Sequence, residues 1–397
     1  MSARHPLAQA CLGVLACLCA GFAGCNASSD TTTAVYVQDV TPTSAVVAAI
    51  TAQPTAVVVE AKAADGTAVE VEELDATPVH GFQLRGLRPS TDYTYTVHTP
   101  DGLPVGEGSF HTAPAESTGR CVFLVTGDSG GTDDDDGDVI QAAEQVSDDL
   151  RGTADDENRE GDVVGVMLRH PADLVLHLGD VVYPAGARED YAEGFYRPFA
   201  PLIQDVPIYP TLGNHDVKTE GGAPYLETFF LPRNGPGADE RVYSFDWGPV
   251  HFVALDVMSQ AFTADSEQGR WLEEDLARTT RAWTVVYFHV PPYSAYREGS
   301  QAIREALVPL LEAHRVDLVL SGHDHLYARF FPHGSTTYVV SGGGGKNLYR
   351  TQDAEGLVYA ESVFHFLEVT AEPGKLWLRA IDASDNVFDE LVLEKPQ

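Results

Sequence analysis

Between residues 121 and 325, six apolar runs each stop at a polar cluster: CVFLVTGD, ADLVLHLGD, VPIYPTLGNHD, VHFVALDV, WTVVYFHV and VDLVLSGHDH. Runs of this length and Val/Leu content suit buried strands, and helix-like stretches such as SEQGRWLEEDLART and QAIREALVPLLEAHR lie between several of them. The alternation predicts a layered α/β domain with its ligand groups at the carboxyl ends of strands. The strand ends supply Asp128 in GDSG, Asp180 and Tyr183 in GDVVY, Asn214 and His215 in GNHD, His289 after VVYF, and His323 and His325 in GHDH. A single Gly-Asp is usually a turn, and a single strand-end histidine is usually structural. Five such clusters in one domain predict a site, with the preceding glycines letting the backbone turn sharply out of each strand.

The first part of the body reads differently. AVYVQDV, SAVVAAIT, AVVVEAKA, GTAVEVEEL, HGFQLRGL, DYTYTVHT and GEGSFHTA are short alternating runs separated by turn residues, which predict a small all-β sandwich over residues 34–115. LRGLRPSTDYTYTV, residues 84–97, is similar to the end of a fibronectin type III domain, in which a tyrosine pins the corner between strands. Tyr93 or Tyr95 takes that role. TAPAESTG, residues 112–119, reads as a linker to a second domain over 120–397, whose closing FHFLEVTAEPGKLWLRAID returns to strand texture.

Charge narrows the partners. The 397 residues carry a net charge of −34, so the surface repels nucleic acid and anionic membrane. An anionic substrate needs a local positive centre, and a metal cluster would supply one. The first 25 residues form a leader, with Arg4 and His5 ahead of an apolar run over 7–23. Phe22-Ala23-Gly24-Cys25 resembles a bacterial lipobox, with Cys25 as the acylated residue and Phe22 where such boxes usually carry leucine. Residues 26–33 then form a Ser/Thr-rich linker. The expected location is the bacterial cell envelope through a lipid on Cys25, or else periplasmic or secreted. Four of the five cysteines lie in this leader, so Cys121 alone remains in the body; no internal disulfide is expected, and Cys121 reads as a buried small hydrophobe. The acidic runs DDDDGD (133–138) and DDENREGD (155–162) read as solvated loop or helix-start charges; placing Gly137 at the sixth position of a calcium loop puts Ala143 at the twelfth, so that pattern fails.

The order GDSG, GDVVY, GNHD, the lone histidine of VVYFHVPPY and GHDH resembles the metallophosphoesterases of the purple acid phosphatase type, over roughly residues 121–397. The preceding sandwich is similar to the accessory domain of the larger members. The resemblance implies a layered β-sandwich flanked by helices and a binuclear centre. Asp128, Asp180, Tyr183 and His325 would hold one metal, and Asp180 (bridging), Asn214, His289 and His323 the other. Carboxylate and phenolate donors favour Fe(III), while an amide and two imidazoles suit a divalent zinc, manganese or iron(II). The implied reaction is hydrolysis of a small phosphate monoester by hydroxide formed at the metals, with His215 as general acid.

Asp216 orients that imidazole or caps the turn. Plant members carry further histidines beyond the HVPPY-like segment, where this chain has Tyr293, Tyr296, Arg297 and Glu298. Arg297 is the candidate phosphate clamp, weighed against an ordinary surface arginine. His177 reads as a core histidine, His251 and His333 as structural, and SGGGGKNLY (341–349) as a flexible turn near the edge of the site. The alternatives are a phosphodiesterase or nucleotide phosphohydrolase on the same centre and, more remotely, a non-catalytic metal-binding surface lipoprotein.

Overall fold

A computed structural model of the chain describes residues 33–51, 56–73, 79–117, 119–130 and 159–395. Cys25, the leader, the acidic run 133–138 and residues 155–158 lie outside the described residues. Residues Thr31–Gln397 form one compact unit.

All seven N-terminal runs are strands: β1 (Ala34–Gln38), β2 (Ser44–Ile50), β3 (Val58–Ala63), β4 (Glu70–Glu73), β5 (His80–Arg85), β6 (Asp92–His98) and β7 (Pro104–His111). They form an antiparallel sheet in the order β1-β2-β5-β4 and a second in the order β3-β6-β7. The two tyrosines of β6 divide the roles expected of them. Tyr93 Oη accepts from the Arg88 N–H at 2.9 Å and so pins the corner. Tyr95 Oη instead donates to the carbonyl of Gln204 at 2.7 Å, outside these sheets. Further ties hold β1 to the rest of the molecule, among them Tyr36 Oη to the Thr228 carbonyl at 2.7 Å and the Val40 N–H to Tyr209 Oη at 2.9 Å. All five residues of β1 are buried.

The larger part is two stacked sheets. After β8 (Cys121–Thr126), β9 (Leu174–His177) and β10 (Ile208–Pro210) come β11 (Tyr243–Trp247), β12 (Val250–Ala254), β13 (Trp283–Tyr287) and β14 (Leu318–Ser321). The chain continues through β15 (Tyr327–Phe330), β16 (Thr337–Ser341), β17 (Leu357–Glu361), β18 (His365–Glu372), β19 (Lys375–Asp382) and β20 (Val387–Glu394). One sheet runs β10-β9-β8-β18-β19-β20 and the other β11-β12-β13-β14-β16-β15-β17. Phe123 of β8 meets Phe252 of β12 edge-on, ring centroids 5.0 Å apart, across the apolar layer between the sheets. Cys121 is fully buried in β8, as a small hydrophobe would be.

Strand direction decides where polar side chains meet. β8, β9 and β10 are mutually parallel, as are β12, β13 and β14. Their carboxyl ends therefore line one edge of each sheet, and the clusters that terminate them come together there. The helices are short: α1 (Glu160–Met167), α2 (Arg197–Ile203), α3 (Ala223–Thr228), α4 (Glu267–Arg278), α5 (Gln301–Ala306) and α6 (Val308–Ala313). Ser266 caps α4 by accepting from the Gly269 N–H at 3.0 Å. The stretch QAIREALVPLLEAHR, read as helical, is broken into α5 and α6. Pro309 cannot donate to the carbonyl four residues back and its ring would clash there, so it starts a new helix instead.

Candidate metal centre

Each predicted donor lies just beyond a parallel strand, and three of them leave it in the left-handed region: Asp128 (φ 57°), Asp180 (φ 51°) and His323 (φ 69°). That conformation costs a non-glycine residue about 1 kcal/mol or more and persists only where the surroundings over-determine it. Here the backbone is cross-tied. The Asp128 N–H donates to the Gly179 carbonyl at 3.0 Å. The His323 N–H donates to both carboxylate oxygens of Asp128, each at 2.9 Å. The His215 N–H donates to Asp180 Oδ1 at 2.7 Å. A side chain on Gly213 would overlap that same carboxylate, so the glycine of GNHD is required by close approach.

The fold brings all seven predicted donors together. Asp180 Oδ2 lies 3.1 Å from Tyr183 Oη and 3.2 Å from His289 Nε2. Tyr183 Oη is 3.1 Å from His325 Nε2 and 3.4 Å from Asp128 Oδ1. Asn214 Oδ1 is 3.0 Å from His289 Nε2 and 2.9 Å from His323 Nδ1. Asp180, His289 and His323 alone present three donor atoms within 4.8 Å of one another. Atoms about 3 Å apart have the spacing of neighbouring ligands around an ion bonded at about 2.0–2.2 Å. Two of the imidazoles are oriented for such an ion: Nδ1 of His289 donates to the Leu178 carbonyl at 2.8 Å and Nδ1 of His325 to that of Asn347 at 2.7 Å. With Nδ1 so committed, each ring turns its Nε2 toward the cluster.

The electrostatics point the same way. Asp128 and Asp180 are fully buried carboxylates facing one another. Burial, with Asp180 beside it, pushes Asp128 well above the usual carboxylate range. Burial opposes ionisation of Asp180 too, but the imidazoles of His289 and His215 outweigh it and hold that group low. His289 is itself drawn up to about 10: burial works against its charge, and the two carboxylates prevail. Two buried carboxyl groups, one of them held ionised, thus make a place for positive charge, and the donor types present are those of a hard/borderline cation pair. The residues fit the implied metals.

The side chains around the donors clarify several expectations. Asp216 does not orient His215; its carboxylate accepts from the N–H groups of Gly213 at 2.8 Å, Val181 at 3.0 Å and Val182 at 3.4 Å. It caps the turn. His177 is buried with Nε2 2.8 Å from Ser129 Oγ, next to Asp128, and burial lowers it to about 3, so it is a neutral core histidine. Arg297 is no ordinary surface residue: Nη1 lies 2.9 Å from His323 Nε2, and the guanidinium sits 5.1 Å from the Tyr296 ring and 5.9 Å from that of Tyr349. The 341–349 turn is not loose. Its Gly344 and Lys346 N–H groups donate to the carbonyls of Gly127 and Asp128, each at 3.0 Å, and a side chain on Gly344 would overlap Gly127.

That turn delivers a residue not singled out from the sequence, Lys346, whose Nζ lies 5.0 Å from the centre of the Tyr183 ring. Lys218 is another, with Nζ 2.9 Å from His215 Nδ1. The available signal was position: one follows a glycine run that closes a strand, the other stands three residues after His215. His251 lies away from the donors, between Asp246 at 2.7 Å and Asp275 at 2.8 Å.

Comparison with known proteins agrees with this geometry. The Calcineurin-like phosphoesterase family profile matches residues 122–327, about half of the chain. Purple acid phosphatase 15 of Arabidopsis thaliana is 27% identical over 323 residues, covering 70% of this chain and 56% of that protein. Across the curated relatives it matches first, the chain spans about half of their length. Among solved structures, the purple acid phosphatase PPD1 of yellow lupin (Lupinus luteus) superposes with a TM-score of 0.75 at 19% identity, over 91% of this chain and 74% of that one. PhoD superposes with a TM-score of 0.67 at 14% identity, over 91% and 90% of the two chains. At those identities the superpositions speak to the fold, an α/β metallophosphoesterase architecture preceded by all-β strands. With the family profile over residues 122–327 and purple acid phosphatases among its relatives, the chain belongs to the calcineurin-like phosphoesterase family.

Proposed function

We propose that this protein hydrolyses small phosphate monoesters at a two-metal centre. One observation carries the reading: Asp180 Oδ2 stands within 3.2 Å of donors from two distinct sets, Tyr183 on one side and His289 on the other. A single carboxylate placed between an oxygen-rich set (Asp128, Tyr183, with His325) and a nitrogen-rich set (Asn214, His289, His323) suits a bridge between a harder and a softer cation. Fe(III) matches the first set, and zinc, manganese or iron(II) the second. Bound there, the two ions would polarise phosphate oxygens and lower the pKa of water far enough to supply a nucleophile near neutral pH or below.

The chain's own groups do the remaining work. His215 handles the leaving-group proton. Its Nδ1 is 2.6 Å from the Pro184 carbonyl, which can only accept, so Nδ1 carries a proton and Nε2 is the exchanging atom. Lys218 cannot then donate to Nδ1 despite its proximity; it can donate to the same Pro184 carbonyl at 3.3 Å and stands 3.4 Å from His215 Nε2.

Arg297 clamps the phosphate. Its Nη1 lies 2.9 Å from His323 Nε2 and its Nε 3.6 Å from Asp324 Oδ1; an ion held by Nδ1 of His323 would leave the proton on Nε2, and Nη1 would then be turned from that nitrogen to a phosphate oxygen. Lys218, Lys346 and Arg297 surround the donors in a chain where acidic residues outnumber basic ones by 59 to 25. Three cations gathered there, beside whatever charge bound metals would add, favour the dianion of a monoester over a diester. Comparing p-nitrophenyl phosphate with its bis-ester tests the preference: faster turnover of the monoester supports it, faster turnover of the diester replaces it.

We also read residues 1–25 as an export leader with Cys25 as the lipid attachment point, on the strength of the Phe22–Cys25 order. Among the described residues no helix is long and apolar enough to cross a membrane. Labelling with a radioactive fatty acid should tag the wild type and not Cys25→Ser; equal labelling of both would end the idea.

A further inference from the structure

Arg297 is also one wall of a cavity of about 980 Å³ that none of the roles above explains. The cavity is built from two cross-tied loops. The Gln352 N–H donates to the Ala295 carbonyl at 2.5 Å, and its side-chain amide donates to the Tyr296 carbonyl. On the side of the metal donors, Ser294 Oγ donates to Asp324, the residue between His323 and His325 in GHDH. The pocket is therefore anchored to the same turn that presents two of the donors, and its shape is largely preformed.

Part of its lining is aromatic: Tyr293, Tyr296, Phe330, Phe331 and His333. The rings of Tyr293 and His333 stack with centroids 4.5 Å apart and planes 7° from parallel. The Arg304 guanidinium lies 5.9 Å from the centre of the Tyr293 ring, with Nη1 donating to the Pro292 carbonyl at 2.7 Å. Phe331, also part of the lining, is 61% exposed. A lone exposed phenylalanine is commonplace; one that lines the same cavity as a parallel ring pair adds to the faces against which a planar group can lie. The carboxylates of Glu298, Asp353 and Glu355 in the same lining weigh against a second anionic group.

We propose that this cavity receives the alcohol portion of the phosphate ester, and that this portion carries a planar aromatic ring; the proposal rests on the phosphatase reading above. Arg297 stands between the metal donors and the cavity, its Nη1 2.9 Å from His323 Nε2 and its side chain in the cavity wall, so an ester clamped by Arg297 would have the cavity next to the group it carries.

The test compares 2-naphthyl phosphate with phenyl phosphate, whose leaving groups have similar acidity but differ in ring area, on the metal-loaded protein. The wild type should favour the naphthyl ester in kcat/KM by about three- to tenfold. That preference should fall toward unity in Phe331→Ala and in His333→Ala, while glycerol phosphate is hydrolysed by both variants at the wild-type rate. A wild type with no preference, or a preference unchanged in both variants, overturns the proposal. Should none of the esters be hydrolysed, the phosphatase reading fails by itself, and calorimetric titration with 2-naphthyl phosphate decides the cavity. Weaker binding to Phe331→Ala by a similar factor supports it, and equal affinity overturns it.

Discussion

The imidazole of His215 lies against the phenol ring of Tyr183, ring centroids 4.3 Å apart and planes inclined by 49°. The group proposed to handle the proton is thereby packed against a candidate metal ligand without itself joining the donor cluster. Replacing His215 by alanine should lower kcat toward esters with poor leaving groups by about 10²–10⁴-fold, the usual worth of a general acid. Metal content should not change. Unaltered turnover of such an ester by His215→Ala would remove it from the mechanism.

Tyr183 Oη touches Asp180, His325 and Asp128. As a phenolate on Fe(III) it would give the protein a visible charge-transfer colour. Tyr183→Phe is expected to lose that absorption band while keeping the fold, since the ring is retained and only the buried oxygen goes. A colourless, iron-free wild type that is fully active would contradict the ferric–phenolate assignment.

Asp216 carries a structural load beside the site, because three buried N–H groups depend on it. Leaving buried donors unpaired costs about 1–3 kcal/mol each. Asp216→Ala should therefore destabilise the fold by about 3 kcal/mol or more in denaturant titration, and Asp216→Asn, which keeps one acceptor oxygen, by less. Equal stability of wild type and Asp216→Ala would show that those amides find other partners.

His251 gives the fold a pH dependence far from the metal donors. Burial disfavours its charge, but hydrogen bonds to Asp246 and Asp275 raise it from 6.5 to about 9. A folded-state value above the unfolded one means the contribution is fully present below pH 6.5 and is lost as pH rises through about 9. It amounts to at most about 3 kcal/mol, less because Asp246 is partly exposed and screened. Wild-type stability should fall more steeply than that of His251→Gln between those two values; parallel curves would refute the assignment.

Much of the centre was legible because strand period and strand-end chemistry are local. Each donor follows an apolar run, and parallel strands align their carboxyl ends, so the strand ends offered Asp128, Asp180, Tyr183, Asn214, His215, His289, His323 and His325 before any coordinates; the resemblance to purple acid phosphatases separated the seven donors from His215. What was not legible depends on which way a side chain turns. Asp216 had two roles open to it, and only the positions of Gly213, Val181 and Val182 decide for the cap. Tyr93 and Tyr95 share a strand face, yet one pins the corner and the other reaches Gln204. Lys346 was hidden in a turn read as loose, since the close packing of Gly344 on Gly127 is a tertiary fact. The break at Pro309, by contrast, was readable from local chemistry.

On the proposed function, Asp180 joins two donor sets around two ions. Elemental analysis of purified wild type beside Asp180→Asn tests it most directly, with phosphate release measured on the same samples. Wild type should carry about two ions per chain, one of them iron, with metal content and hydrolysis both collapsing in Asp180→Asn. Undiminished hydrolysis in Asp180→Asn, or by wild type stripped of metal, would contradict it.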